Sequence, residues 1–310
     1  MESFVMAARV VIPMALLMAI GIAVRLTGIA EPATMKKVDT LTFKVFTPCL
    51  VFYNVYNTDL SNLTNPSFLL YGTVGLVISF CAALLIFRLI PQRPTATSFA
   101  QSMVRPNYII FGAAVAQSIY GEGNIGLVML MGAVAIPVYS IMAAVILEYG
   151  RGGNPTPWQL FVAVLRNPIF VGTGLGLLVN LSGLRVPDLF DEVIQDLGGI
   201  ATPLSFLSIG VGLSFSAYPK KKLVFLAVLV RLVLIPLVFV TGGVLLGFQG
   251  AQLCALMILF AAPAAVASYP AAVAMGADGE FAGQLVAYST IFCLPTIFLW
   301  TLVLNQLQLL

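Results

Sequence analysis

The sequence predicts an all-α membrane protein with ten transmembrane helices in two inverted five-helix repeats. Three observations predict it. The 310-residue chain is 60% apolar and only 9% charged, against about 45–50% and about 25% in ordinary soluble domains. Ten apolar runs of bilayer-crossing length follow one another along it. Its first part also aligns on its second at a nearly constant offset.

Composition bounds the chemistry first. A mean hydropathy of +1.03 excludes a soluble domain and, more firmly, a disordered one. Ten crossings of about 20 residues take about 200 and leave about 110 for connections, too few for a sizeable soluble domain. A net charge of +3 does not suggest nucleic acid as a partner. The chain has no histidine, which excludes histidine acid–base catalysis, histidine metal sites and Ser–His–Asp triads. Cys49, Cys81, Cys254 and Cys293 stand singly in apolar stretches with no C-x-x-C pair, so neither a metal nor a redox cofactor is expected. A membrane-embedded enzyme therefore has almost no support.

The runs lie at 4–27, 38–57, 67–90, 97–119, 124–148, 158–182, 192–216, 222–247, 251–275 and 281–308. The first is too long for a signal-peptide core and lacks a cleavage site, so it is a spanning helix. Lys44 and Asp196 intrude on runs 2 and 7. Orientation follows the basic residues of short loops. The loops after spans 1, 3, 5 and 7 hold Arg25, Lys36, Lys37, Arg88, Arg93, Arg151, Arg166, Lys220, Lys221 and Lys222, ten of the fifteen. Both termini are therefore expected on the non-cytoplasmic side of a plasma or inner membrane.

The repeat decides the architecture. Residues 12–52 align without a gap on 167–207, pairing Pro13 with Pro168, Gly21 with Gly176, Gly28 with Gly183, Pro32 with Pro187, Thr47 with Thr202 and Pro48 with Pro203. Farther on, 113–116 matches 271–274, Gly121–Glu122 matches Gly279–Glu280, and Pro137 matches Pro295. The units are residues 1–150 and 151–310. Five spans per unit is an odd number, so the second enters the membrane inverted. Inverted repeats are the signature of secondary transporters, whose halves exchange conformations to alternate access; the competing reading is an old duplication kept for packing alone.

In such folds the site lies near the midplane, where one helix of each half is interrupted. Spans 4 and 9 carry the signals: Gln101, Arg105, Pro106, Asn107, Tyr108 and Gly112 in one, Pro263, Ser268, Tyr269 and Pro270 in the other. Mid-helix prolines each delete an intrahelical bond. Arg105 either pairs with an anionic substrate or snorkels to headgroups. Asn107 either donates amide hydrogens to a carboxylate or bonds a neighbouring helix. Lys44 and Arg231 are expected to be interface anchors. No acidic residue stands in the apolar middle of a strong span, which argues for an uncoupled carrier driven by the membrane potential.

These residues resemble the auxin efflux carrier family of plants and microbes. Phe43 to Phe52 around Pro48 looks like its F-x-x-P-x-L-x-F segment. Arg105-Pro106-Asn107 through Gly112 is similar to its crossover region, and Asn167-Pro168, Pro203 to Gly210, Lys222 to Pro236 and Ala261 to Asp278 resemble its second half. The resemblance covers essentially the whole chain. It implies a fold similar to bile-acid symporters and sodium/proton antiporters, with spans 4 and 9 crossing at the site. It also implies a scaffold of spans 1, 2, 6 and 7, an elevator-like motion of spans 3–5 and 8–10, a homodimer, and small carboxylates such as auxin or malonate as substrates.

Two departures stand out. Gly112-Ala113-Ala114 lacks the crossover proline common in the family, and Ala267-Ser268 stands where an asparagine is common. The short 149–157 connection points to a microbial type. A membrane receptor, or a lipid- or small-molecule-binding protein, using the same cavity without net transport is the alternative of another class.

Overall fold

The computed structural model describes residues 2–57, 66–108, 112, 115, 116, 119, 126–152, 156–212 and 219–310. Most of these are helical, with no strand among them. Five helices are long and apolar enough to cross a membrane, or six if one bent pair counts as a span. The expected Gly121–Glu122 match and most of the second half of span 4 lie outside the described residues.

Helix α1 covers Glu2–Leu26. Span 2 begins as α2 (Pro32–Leu41), passes through a π-helical turn at Thr42–Phe46 and continues as α3 (Thr47–Tyr56). Then come α4 (Pro66–Leu89), α5 (Arg93–Val104) and α6 (Gly126–Gly150). The apolar run at 158–182 is not one straight helix. It divides into α7 (Pro157–Leu165) and α8 (Pro168–Ser182), bent by 64°. The Asn167 side chain caps α8 by accepting from the Ile169 N–H, and Pro168 opens it, so two start signals override a continuous apolar run.

The second half continues with α9 (Asp188–Gly212), α10 (Lys221–Leu229), a π turn at Val230–Leu234 and α11 (Ile235–Leu245). Helices α12 (Gly250–Ala261), α13 (Ser268–Ala274) and α14 (Gly279–Gln306) complete it. Both π turns end just before a proline-bearing turn, at Pro48 and Pro236. Proline lacks an N–H and crowds the carbonyl four residues back, and the wider turn absorbs that crowding.

Two close helix contacts organise one side of the molecule. On α1, a Cβ at Gly21 would overlap the Leu207 carbonyl of α9, while on α8 a Cβ at Gly176 would lie 2.9 Å from the Phe52 carbonyl of α3. These contacts fall at equivalent places in the alignment at offset 155. Asn180 strengthens the second by donating to the carbonyls of Val55 and Tyr56 at 3.3 and 2.8 Å.

At one end of the molecule three loops meet on Asp278. Its carboxylate accepts from Lys220 Nζ at 2.6 Å and from the Thr95 hydroxyl at 2.8 Å, and the Phe281 N–H donates to its other oxygen. The Asp278 N–H donates to the Pro94 carbonyl, and Ser98 donates to the Asp278 carbonyl. This knot joins α5, the lead-in to α10 and the start of α14. Burial alone would raise the Asp278 pKa, but Lys220 and the Phe281 and Thr95 donors hold it below the ordinary carboxylate value.

Candidate functional site

Helix α5 stops at Val104, and Arg105 is extended (φ −111°, ψ 91°). Pro106 explains the stop, because a proline disfavours helical geometry in the residue before it. Helix α12 stops at Ala261, and Ala262 is likewise extended, again immediately before a proline, Pro263. The two interrupted segments then pair antiparallel at Pro106 and Ala264. The Asn107 N–H donates to the Pro263 carbonyl at 2.8 Å and the Ala265 N–H to the Arg105 carbonyl at 2.9 Å. The Ala264 N–H donates to the Ser289 hydroxyl of α14. Non-helical backbone is tolerated at membrane depth only when its polar groups find partners inside the protein. These three bonds meet that condition.

Among the described residues, span 4 is interrupted at Arg105–Asn107, next to Pro106. Gly112 is buried, and a Cβ there would touch Ile258 and Tyr108 side chains at ordinary distances. In span 9, Pro263 marks the break. Pro270 sits inside the first turn of α13, where a missing N–H removes no helical bond.

Arg231 was expected at the interface; the structure buries it instead. It is 1% exposed. Its Nε donates to the Ala262 carbonyl at 2.9 Å, Nη1 to Met103 at 3.0 Å and Nη2 to Leu259 at 3.2 Å. Those carbonyls belong to the C-terminal ends of α5 and α12. Helix C-termini carry unpaired carbonyls and partial negative charge. One guanidinium thus satisfies both broken ends, and its planar fork suits three carbonyls as an ammonium would not.

A cavity of about 70 Å³ opens at the crossing. Its polar lining comprises Arg105, Asn107 and Tyr108 from span 4, Asn54 from α3, Tyr139 from α6 and Thr202 from α9, and Ala265–Ala267 close it from span 9. Arg105 is 3% exposed, so it does not snorkel to headgroups. Its Nη1 and the Asn107 Nδ2 are both buried donors without a hydrogen-bond partner among the described residues. Tyr108 is committed differently, since its hydroxyl donates to the Val128 carbonyl at 2.7 Å. Tyr139 lies within electrostatic range of both Arg105 and Arg231. Among the described residues, no acidic one lines this cavity.

The remaining expected site residues lie elsewhere. Gln101 is fully buried one turn before the break, with both amide atoms unpartnered among the described residues. Ser268 is buried, its hydroxyl likewise unpartnered among them. Tyr269 lines a second cavity of about 370 Å³ with Arg25, Lys36, Asp39, Glu280 and Gln284. There Asp39 is 1% exposed, and the Ser208 and Tyr269 hydroxyls lie beside its carboxylate. The sequence reading missed this carboxylate because it stands at the edge of an apolar run. It also missed Asn54, Tyr139, Thr202 and the role of Arg231. A charge eleven residues into a 25-residue span was the available signal for Arg231, since about 15 Å of helix reaches mid-bilayer.

Apolar membrane-length helices around a partly open cavity at two helix breaks fit the class of multi-pass membrane transport proteins. A family model described as "Membrane transport protein" matches residues 6–301, and the chain belongs to that family, the auxin efflux carriers. Members of this family are transporters and not enzymes. No curated protein matches the chain.

Proposed function

We propose that this protein is a secondary carrier that exports small carboxylates by alternating access. The observation that carries the reading is the pair of buried donors, Arg105 Nη1 and Asn107 Nδ2, unpartnered among the described residues and carried by two residues that line one cavity at the crossed breaks. A buried donor left without a partner costs about 1–3 kcal/mol or more. A carboxylate placed there would recover that cost, and Arg105 would supply the matching charge. Nothing acidic among the described lining residues competes for it.

The carrier has ten spans in two inverted repeats. The offset-related contacts Gly21–Leu207 and Gly176–Phe52 support that reading. Spans 1, 2, 6 and 7 form the fixed scaffold of a homodimer, and spans 3–5 and 8–10 move as a body past it. The Asp278 knot supports the second part, because Thr95, Lys220 and Asp278 tie together only elements assigned to the moving body. A cytosol-negative potential contributes about 2.3 kcal/mol per 100 mV to expelling one negative charge.

The test is counterflow of labelled malonate and indole-3-acetate, alongside a panel of mono- and dicarboxylates, in proteoliposomes. Expected is trans-stimulated exchange with at least one of them, abolished by Arg105→Gln and accelerated by an imposed potential. Saturable binding with no counterflow for any of them would overturn the carrier reading in favour of a receptor.

A further inference from the structure

A third cavity, of about 650 Å³, opens between α7, the end of α6, the π turn of span 2 and the end of α13. Three cations line it: Lys44, Arg151 and Arg166. The one carboxylate among its described lining residues, Glu148, is 8% exposed and already committed, accepting from Asn167 Nδ2 at 3.3 Å and Arg151 Nη1 at 3.4 Å. Lys44 and Arg166 have no ion-pair partner among the described residues. The cavity thus presents two uncompensated positive charges.

Helix α7 fixes where that cavity sits. It is nine residues long, too short to cross a bilayer, and is bent 64° away from α8. Thr156 and Gln159 close its start with a capping box, so the helix begins there by design of the sequence. Trp158 is 70% exposed and packs its ring on Phe161 at 5.6 Å. An apolar helix too short to span, bearing an exposed tryptophan, belongs at the membrane–water interface. Basic pockets between helices at that depth suit anionic lipid headgroups.

We propose that this cavity binds the phosphate headgroup of an anionic phospholipid, with Lys44 and Arg166 contacting the phosphate and Trp158 resting on the glycerol–acyl boundary. Arg151 is held by Glu148 and rims the site. The walls belong to both assemblies, Lys44 on the scaffold and Ala274 and Met275 on the moving body. A lipid seated there touches both sides of the proposed sliding boundary. That last point rests on the carrier reading; the binding does not.

The test uses the full-length protein in neutral detergent, with phosphatidylglycerol, phosphatidylcholine and inorganic phosphate as probes. Expected is a rise in melting temperature with phosphatidylglycerol only. In Lys44→Gln/Arg166→Gln its binding should weaken on the order of 30-fold, from the loss of two basic contacts at an anionic surface. Arg105→Gln should keep the lipid response, which separates this site from the carboxylate site. An equal response to inorganic phosphate would identify a free-anion site and overturn the lipid assignment, as would an unchanged lipid response in the double variant. A second measurement needs neither variant. In Trp300→Phe, which leaves Trp158 as the sole tryptophan, brominated phosphatidylglycerol should quench emission more strongly than brominated phosphatidylcholine; equal quenching would overturn the proposal.

Discussion

Arg231 donates from Nε to the Ala262 carbonyl at 2.9 Å, so a guanidinium sits on the C-terminal end of a helix that stops inside the protein. The same side chain reaches Met103 on the other interrupted helix. The crossing is therefore held by one buried cation as well as by backbone pairing.

Replacing Arg231 by methionine strands three buried carbonyls, each worth about 1–3 kcal/mol when unsatisfied. The variant should lose at least about 3 kcal/mol of stability, read as a lower melting temperature in detergent. Arg231→Lys should fall between, because an ammonium cannot span three carbonyls in one plane. A methionine variant that melts with the wild type would remove Arg231 from this role.

At the cavity, the expected effects fall on binding and not on folding. Arg105→Gln and Asn107→Ala each remove a donor that has no partner among the described residues of the unliganded protein. Charge-assisted hydrogen bonds contribute about 1.5–3 kcal/mol, so carboxylate affinity should fall roughly 10- to 100-fold. Ligand-induced thermal shift measures this, with the unliganded melting temperature as its control. An affinity loss matched by an equal loss of unliganded stability would point to a structural role.

The glycines at the helix contacts grade in severity. A Cβ at Gly21 overlaps the Leu207 carbonyl outright, the one at Gly176 meets the Phe52 carbonyl at 2.9 Å, and nothing lies within 4 Å of one at Gly174. Backbone cannot rotate away as a side chain can. Alanine at Gly21 should cost the most, within the roughly 1–3 kcal/mol typical of overpacking, alanine at Gly176 less, and alanine at Gly174 little. Thermal denaturation of the three variants gives the order directly.

Acid should loosen the Asp278 knot. The folded-state pKa of Asp278 lies below its ordinary value, so the folded state holds the proton more weakly than the unfolded one. Its stabilisation is complete above the ordinary carboxylate pKa of about 3.9 and is lost as pH falls through the depressed value. Melting temperature measured from pH 7 down to pH 3 should drop at the acid end, and Asp278→Asn should flatten that part of the profile. An identical acid limb in the variant would show that other carboxylates govern it.

Much of this protein is written locally. The apolar runs dictate helices because, in lipid, every backbone polar group must be satisfied within its own segment. Pro106 and Pro263 stop their helices through their own ring sterics, and Asn167–Pro168 starts α8 through a cap. These are short-range effects, legible from neighbours in the chain. Even the close approaches of Gly21 and Gly176 are foreshadowed by their pairing at a fixed offset.

What the chain alone left open depends on residues far apart in sequence. Arg231 resembled one more basic residue after Lys220–Lys222 until α10 and its π turn placed it 128 positions away from Met103 and within 3.0 Å of that carbonyl. Asp39 stood at the edge of an apolar run until α9 and α13 packed over it. Tyr139, Asn54 and Thr202 gave no local sign, because cavity lining is a property of which faces meet. The sequence by itself determined where helices form and where they must break. Only the tertiary structure decided which buried polar atoms found partners, and so left Arg105 Nη1 and Asn107 Nδ2 without one among the described residues, because hydrogen-bond satisfaction is settled by distance in space.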